Sequence, residues 1–438
     1  MAPEAAVRYY TFSVMLLENG NRTEGEKELL RIKLSLSDVL AISGRNEQAL
    51  SLLRGLLEGC PGLDNVDKCG VLYRLGCIHH KMGDFEQSIH LLKDALRVQG
   101  EVLPNGVIKT LLAILSQGIY QVGLSFGLKR ILPLRKDSAT RLRVSIYNKL
   151  TYSFYFYDMF NCFLANLKAI NLADRLEDCF EKAEAYTIHL VPAHQLMLRN
   201  RALRYVEEVD RIARSAKRID AEAFGKSFGG IVLYFRSNRL KSRQSLRLSN
   251  ELYGSIGDIA GSLLNYEHLW RLSLQDGDLE ETMVLLNKTK RICYRIGEKH
   301  YLASTLAGEY LVEYLQKGVC SNDVRREIEG ILSNTRSFLT HTHVAVYIIQ
   351  AELLDRNVKE AFTNLKSLAS AILLKSINSE YVVPFFSLAC ETFLMEMANR
   401  KDCKISLDLS NRALKYLLSF SLLLLRYSLL SYPAYRGE

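Results

Sequence analysis

The spacing of turn residues constrains this chain more than any other feature of its sequence. Gly44 and Gly83 lie 39 residues apart, and later turn candidates recur at intervals of 38 to 42 residues, near Asp158, Asn200, Asn238, Gly277, Gly318, Asn357 and Asn399. Glycine and asparagine tolerate the left-handed backbone that ends a helix. Each interval has room for two helices, so the spacing predicts an array of antiparallel helix pairs with a period of about 39 residues. The 75 residues between Gly83 and Asp158 predict one further pair, turning near Gly123.

The pattern is clearest in residues 69–102, which predict two helices joined by a turn at Gly83. Small and apolar residues recur on one face of each helix, at Leu72, Leu75, Gly76, His79, Ser88, Leu92 and Ala95. This arrangement resembles the tetratricopeptide repeat, with its W-x2-L-G-x2-Y signature, glycine turn and following alanine. Leu72 and His79 replace its aromatic positions. The resemblance implies an all-α fold, a right-handed α–α superhelical solenoid whose first helices line a concave groove.

Two departures from the motif carry expectations of their own. Trp270, the chain's only tryptophan, stands where the motif prefers glycine, so we expect the helices of that pair to splay or shift. The aromatic run from Tyr152 to Phe160 is expected to fill a helix–helix core, because aromatic side chains at that density seldom line a cofactor pocket.

The composition agrees with a helical protein of the cytoplasm. Apolar residues make up 48% of the chain, which is ample for a core, and only seven prolines interrupt helices. No segment alternates as a strand would. The nine cysteines are odd in number and scattered, which is typical of reduced thiols packed as small apolar residues. The first residues lack the basic start and apolar run of a secretory signal.

We expect four segments along the chain. Residues 1–103 form N-terminal repeats, 104–143 a connecting helix and basic loop, 144–416 the main array, and 417–438 an apolar capping helix with a tail. Residues 416–432 are apolar on all sides, yet they are shorter than the ~20 residues of a membrane span and contain Arg426. We therefore expect a packing helix and no membrane contact; a tail anchor and a helix that needs a missing partner are the alternatives.

Two longer segments resemble a particular class of repeat protein. They are residues 143–175, with Ser145-Ile-Tyr-Asn-Lys-Leu-Thr-Tyr, and residues 252–280, with Leu252-Tyr-Gly-Ser-Ile-Gly-Asp. Both are similar to the C-terminal helical-repeat region of bacterial STAND-type signalling ATPases, often fused to kinase or cyclase domains. The resemblance implies a sensor or protein-binding arm. It transfers no catalytic residue, because the phosphate-loop motif G-x-x-x-x-G-K-[ST] and the kinase motifs are absent from the sequence.

Three groups of residues could carry chemistry: Cys77 with His79, His80 and His90; His341 with His343; and the glycine-rich segment 224–230. The first group is divided between helix faces and a turn, which does not suit a zinc site. The second precedes a predicted helix that Thr342 could cap. The third lacks the spacing of a phosphate loop and follows no strand, so close helix packing explains its glycines. We expect no catalytic residue, metal or cofactor and no enzymatic activity; a helical-toroid enzyme is the alternative.

The predicted solenoid would bind a partner in its groove. By analogy with tetratricopeptide repeats, the groove-facing residues are Tyr73, His80, Lys81, Phe228, Phe235, Arg236, Glu267 and Arg271, with Cys77, Val232, Leu274 and Gln275. An apolar and aromatic floor with basic tips favours a protein or peptide that carries apolar and acidic residues. The net charge of +9 comes from basic clusters without a nucleic-acid motif, so we do not expect nucleic acid as a partner. The sequence predicts a protein-interaction scaffold or sensor; the alternative is a regulatory arm of a STAND-type ATPase or kinase.

Overall fold

A computed structural model describes residues 3–18, 26–59, 63–128, 131–195, 199–236, 238–365, 388, 391, 392 and 395. The chain forms two compact units. Unit 1 consists of Met1–Val232, Ser242–Tyr266 and Arg291–Lys299, and unit 2 of Leu233–Lys241, Glu267–Lys290 and His300–Glu438. The described residues are mainly α-helical and contain no β-strand, only one isolated bridge between Arg135 and Leu176.

The helices of unit 1 are α1 (Pro3–Glu18), α2 (Glu26–Ile42), α3 (Asn46–Gly59), α4 (Asn65–Lys81), α5 (Phe85–Val98), α6 (Val107–Gly123), α7 (Ser138–Tyr155), α8 (Met159–Ala173), α9 (Phe180–Gln195) and α10 (Arg199–Ala216). A π-helical turn, Leu124–Leu128, extends α6. The next four helices have residues in both units: α11 (Ile219–Phe235), α12 (Arg239–Ile256), α13 (Leu263–Gln275) and α14 (Leu279–Ile296). Unit 2 adds α15 (His300–Lys317), α16 (Asn322–Ser333) and α17 (Phe338–Leu354).

Consecutive helices pack in pairs, as the sequence predicts. In unit 1, α4 packs on α5, α7 on α8 and α9 on α10; in unit 2, α15 packs on α16. Three serines of α12 donate hydrogen bonds to backbone carbonyls of α11: Ser242 to Gly230, Ser245 to Lys226 and Ser249 to Ala223. Because the acceptor moves back along α11 as the donor advances along α12, these two helices are antiparallel. First helices also pack side by side, α4 on α7, α7 on α9 and α15 on α17. The predicted all-α solenoid of helix pairs is confirmed.

Turns fall where the residue spacing places them. Gly44 and Gly83 have φ of 78° and 72°, a left-handed backbone that costs glycine little and ends α2 and α4. Asp158 caps α8 by accepting a hydrogen bond from the Asn161 amide. Asn200, a predicted turn position, lies in the first helical turn of α10. The turn predicted near Asn399 lies outside the described residues.

The predicted extra helix pair between Gly83 and Asp158 is wrong. Among the described residues between α5 and α7, α6 is the only full-length helix, and α5 packs directly on α7, so the array passes from α4 and α5 to α7 and α8 without an intervening pair. Helix α6 instead packs on α8, where Gln117 and Gln121 bond to Asn171 and Asp174, respectively. Residues 132–137, which follow, are not helical: Pro133 lies among them, and the Arg135 amide donates to the Arg175 carbonyl at 2.7 Å.

The domain boundaries predicted at residues 104, 144 and 417 stay predictions. The apolar segment 416–432 lies outside the described residues.

Trp270 is fully buried in unit 2 at the position where the repeat motif has glycine. The space for its indole comes from a glycine on another helix. A Cβ atom on Gly308 of α15 would lie 3.1 Å from the indole carbons and 3.1 Å from a methyl group of Leu286. In unit 1 the glycine stays at its motif position, since a Cβ on Gly230 would lie 2.8 Å from Leu246. Compared with the motif, the small residue thus lies one repeat later, at Gly308 on α15, and leaves space for Trp270 on α13.

Candidate partner-binding surface

The structure places the eight predicted groove residues in two groups. Unit 1 contains Tyr73, His80 and Lys81 on α4 and Phe228 on α11; unit 2 contains Phe235, Arg236, Glu267 and Arg271. His80, Phe228, Phe235, Glu267 and Arg271 are buried, Tyr73 and Lys81 are half-buried, and Arg236 is exposed. Buried side chains offer little surface to a partner. Among the eight predicted residues, only Tyr73, Lys81 and Arg236 are exposed enough to contact one.

A partly accessible stripe runs along α4. Tyr73, Cys77 and Lys81 follow one another at four-residue steps, which places them on one helix face, and all three are half-buried. Helix α7 packs beside α4 and adds two half-buried residues, Lys149 and Tyr152. These five residues are called the α4–α7 surface below. Most of their neighbours along both helices are buried in the core of unit 1.

Tyr152 connects two of the predicted groove residues. Its ring centroid lies 4.8 Å from that of His80 and 6.4 Å from that of Phe228. The run from Tyr152 to Phe160, which was expected in the core, is only partly buried: Phe154 and Phe156 are buried, whereas Phe160 is 43% exposed. Tyr152 itself is half-buried, and its ring centroid lies 6.0 Å from that of Phe156, four residues later on the same face.

Two pairs of opposite charges accompany the aromatic rings. The Lys149 ammonium lies 3.6 Å from a Glu184 carboxylate oxygen, and the Lys81 ammonium lies 4.0 Å from Asp258. The Asn148 amide donates to Glu184 at 2.9 Å, which holds that carboxylate in place. Lys149, Glu184 and Asp258 are not among the residues that the sequence pattern predicts for the groove. No local signal could have found them, since each is an ordinary charged residue whose neighbour lies more than thirty residues away.

Burial and these charges set the protonation states at the α4–α7 surface. Burial, reinforced by Lys149 and Lys81, holds the pKa of His80 well below its usual value, so His80 is neutral at pH 7. Burial alone would lower the pKa of Lys149, but the Glu184 carboxylate raises it overall, and Lys149 stays charged. Burial raises the pKa of the Tyr73 phenol and of the Cys77 thiol, so both are neutral. The surface thus combines neutral aromatic groups with compensated charges.

In unit 2, Glu267 is the centre of a buried polar cluster. One carboxylate oxygen accepts hydrogen bonds from the Ser304 hydroxyl and the Trp270 indole, each at 3.0 Å, and the other lies 3.2 Å from Nε2 of His343. Burial raises the pKa of Glu267, although Arg271 partly offsets the effect. Burial and Arg271 hold the pKa of His343 well below its usual value. The cluster joins α13, α15 and α17 through their inner residues.

Arg271 is buried and does not behave as the surface charge that the sequence analysis assumed. Its guanidinium carbon lies 5.5 Å from the centroid of the Tyr234 ring, and Gln275 donates to the Tyr234 hydroxyl at 2.9 Å. The ring of Phe235 lies 5.9 Å from that of Tyr234. A charge reversal at Arg271 would therefore place a carboxylate in a buried, stacked position, and only Arg236 can be reversed without this effect.

The candidate metal ligands have other partners. His79 lies 3.1 Å from Asp84, His80 lies 2.8 Å from the Ser153 hydroxyl, and His90 lies 3.2 Å from Asp94. Among the residues that the structure describes, no group of three histidine, cysteine, aspartate or glutamate side chains could hold a metal ion.

The pair His341 and His343 lies inside α17, which Ser337 caps, so the predicted capping by Thr342 is wrong. The helix begins earlier because Ser337 is already a good cap and the apolar residues after it are buried. The glycine-rich segment 224–230 lies within α11, and two of its three glycines serve close packing, as predicted: a Cβ on Gly225 would lie 2.7 Å from Val209 and one on Gly230 2.8 Å from Leu246, whereas one on Gly229 would meet no atom within 4 Å.

Neither a protein-family model nor a curated protein matches this sequence. Solved structures of helical-repeat proteins do match. A Rap protein complexed with competence and sporulation factor has 10% identity, a TM-score of 0.51, and covers 90% of this chain and 99% of its own. Yeast Tom70 has 13% identity and a TM-score of 0.32, over 96% of this chain and 93% of its own. The APC/C hetero-tetramer Cut9–Hcn1 has 13% identity and a TM-score of 0.25, over 92% and 87%. At such identities the likeness to Rap concerns the fold alone, which is that of a tetratricopeptide-like helical solenoid.

Proposed function

We propose that this protein is a non-enzymatic interaction scaffold of the cytoplasm that binds a protein or peptide segment against the first helices of its repeats. The observation that carries the proposal is the α4–α7 surface, where half-buried aromatic and charged side chains lie together. The Rap structure supports it as well, since a protein with a similar fold is described in complex with a second factor.

The charges at this surface support recognition better than they support stability. A pair such as Lys149 and Glu184 loses much of its hydration, and its mutual attraction often only balances that loss. Apolar residues of the same volume would stack the helices equally well. A partner that brings its own charge could exchange with this pair, while an aromatic or aliphatic side chain could contact Tyr152. We therefore infer an amphipathic peptide as the ligand, with acidic residues directed at Lys81 and Lys149.

The test is selection of peptides on the immobilised full chain from a random display library. Peptides that bind the wild type are then titrated against Lys149→Met combined with Glu184→Gln. This double variant removes both charges together and leaves no buried charge without its counterpart, so its melting temperature should stay close to that of the wild type. We expect the selected peptides to bind the double variant at least about tenfold more weakly, because it lacks the charged pair that would orient the ligand.

The matched control is Glu28→Gln combined with Arg31→Gln, which removes an exposed pair on α2 at 3.9 Å. Exposed pairs contribute little to stability, and this one lies away from the α4–α7 surface. Equal binding by wild type, test and control variants would place the site elsewhere. Failure to enrich any peptide would contradict the proposal itself.

Arg236 of unit 2 is a separate candidate contact and has its own test. Since Arg236 is exposed, Arg236→Glu tests this contact without disturbing the core. We expect weaker binding of acidic peptides at an unchanged melting temperature. Unchanged binding would remove Arg236 from the site.

The alternative is that the same scaffold acts as the regulatory arm of a STAND-type signalling ATPase or kinase. Its support is the resemblance of residues 143–175 and 252–280 to such arms. Co-purification with an ATPase or kinase, lost on replacing Lys149 and Glu184, would favour this form of the proposal.

A further inference from the structure

Helix α6 exposes an unusually apolar face. One described helix, residues 107–126, is long and apolar enough to span a membrane by length and composition, and only 17% of its most apolar window is buried. Six of its large side chains are 52% to 88% exposed: Ile108, Leu112, Leu115, Ile119, Val122 and Phe126. A typical soluble monomer has no apolar patch larger than roughly 300–600 Å². Six such side chains in one row approach or exceed that size.

The spacing of these six residues is that of a coiled-coil seam. From Ile108 to Val122 they follow each other at steps of four, three, four and three residues, which is the heptad pattern of a helix that packs along another helix; Phe126 comes four residues later, in the π-helical turn. We call this row the α6 seam. The opposite face of α6 is already occupied by α8, through Gln117 and Gln121. The seam is therefore a second packing face of the same helix.

We propose that the α6 seam pairs with the α6 seam of a second copy of this chain, in antiparallel orientation, and makes the protein a dimer. A two-fold interface requires a surface that is complementary to itself. The seam fulfils this condition because it carries no charge, and Lys109 is the only charged residue in α6. The exposure also agrees, since six large apolar side chains that are each more than half exposed form a patch of the kind that marks protein–protein contacts.

The order of residues favours the antiparallel arrangement. When two copies are aligned in opposite directions about a point between Leu115 and Ile119, those two residues face each other across the axis, Leu112 faces Val122 and Ile108 faces Phe126. All six seam residues then find an apolar counterpart. The basic residues that follow α6, such as Arg135 and Lys136, lie at opposite ends of the pair, whereas a parallel pair would bring them together.

A lipid surface suits the seam less well. Helices that lie on membranes carry lysine and arginine along their polar face, together with an apolar face. The other face of α6 has glutamines that bond to α8 and no such basic row.

Sedimentation equilibrium of the full chain between about 1 and 50 µM tests the proposal. We expect the wild type to approach twice the chain mass of 49.8 kDa as its concentration rises. Leu115→Glu combined with Ile119→Glu should weaken the dimer at least about a hundredfold, because it places carboxylates opposite each other in an apolar interface. Both residues are more than 60% exposed, so the circular dichroism spectrum should not change.

Two further variants make the test specific. Ser116→Glu adds a charge on an exposed residue beside the seam and should leave the dimer intact. Leu115→Glu combined with Ile119→Lys should restore dimerisation relative to the double glutamate, since antiparallel pairing places the new glutamate opposite the new lysine. A monomeric wild type at 50 µM, a dimer that persists in the double glutamate variant, or monomer bound to anionic vesicles would each overturn the proposal. Equal loss of the dimer in both double variants would overturn the antiparallel arrangement.

Discussion

Two adjacent glycines of α11 allow helix propensity to be separated from packing. Gly229 and Gly230 both lie inside the helix, so replacing either with alanine should gain about 1 kcal/mol from propensity alone. Their surroundings differ. A Cβ on Gly229 would have no other atom within 4 Å, whereas a Cβ on Gly230 would lie 2.8 and 2.9 Å from side-chain carbons of Leu246. Contacts this short require Leu246 or a helix backbone to move.

The expected magnitudes follow from these contacts. Overpacking of a tight core site costs about 1–3 kcal/mol. Gly229→Ala should therefore stabilise unit 1 by about 0.5–1 kcal/mol. Gly230→Ala should be neutral or destabilising by up to about 2 kcal/mol, once the gain in propensity is subtracted. The two variants should therefore differ in free energy of unfolding by about 1–3 kcal/mol. This difference measures only how closely α11 packs against α12.

Urea unfolding followed by circular dichroism at 222 nm would measure the midpoints of both variants under identical conditions. Leu246→Ala provides the second half of the test, because it removes the side chain that the new methyl group contacts. In the wild type this change should cost about 2–5 kcal/mol, and in the Gly230→Ala background it should cost less. If both glycine variants stabilise the protein equally, the close packing of α11 on α12 described here is incorrect.

Three further expectations concern protonation, turns and nucleotide binding. Burial lowers the pKa of His300 to about 3 from 6.5, so below pH 6.5 the unfolded chain binds a proton at His300 that the folded chain does not bind. Stability should therefore fall as the pH drops below 6.5, by about 2 kcal/mol at pH 5 from this group, and His300→Gln should reduce the loss in urea midpoints compared at pH 7.5 and 5. Gly44→Ala should lower the melting temperature more than Gly100→Ala. Both glycines have a positive φ of 76° to 78°, but only at Gly44 would a Cβ lie 2.9 Å from Ile296; equal effects would contradict this. Calorimetry with ATP should detect no binding, since residues 224–230 lie within α11, and micromolar affinity would refute that interpretation.

The sequence alone determined the repeat architecture. Gly44 and Gly83 mark helix ends because their backbone conformation is a local property of glycine, and the same holds for the cap at Asp158. Close packing at Gly76 and Gly230 could also be predicted, since both occupy the small position of a motif that repeats within one helix pair. The residues that face outward on α4, Tyr73 among them, follow from helical periodicity.

Only the tertiary structure decided which repeats become neighbours and what their inner residues contact. Helix α6 lies on α8 and α5 packs directly on α7, and no residue of α6 encodes that choice by itself. Room for Trp270 comes from Gly308 on the next first helix, and the environment of Arg271 comes from Tyr234, 37 residues earlier in the chain. The burial, the pKa and the accessibility of a side chain all depend on neighbours that come from distant repeats. A pattern within one helix states which face is apolar, but the identity of the neighbour is a property of the packed array.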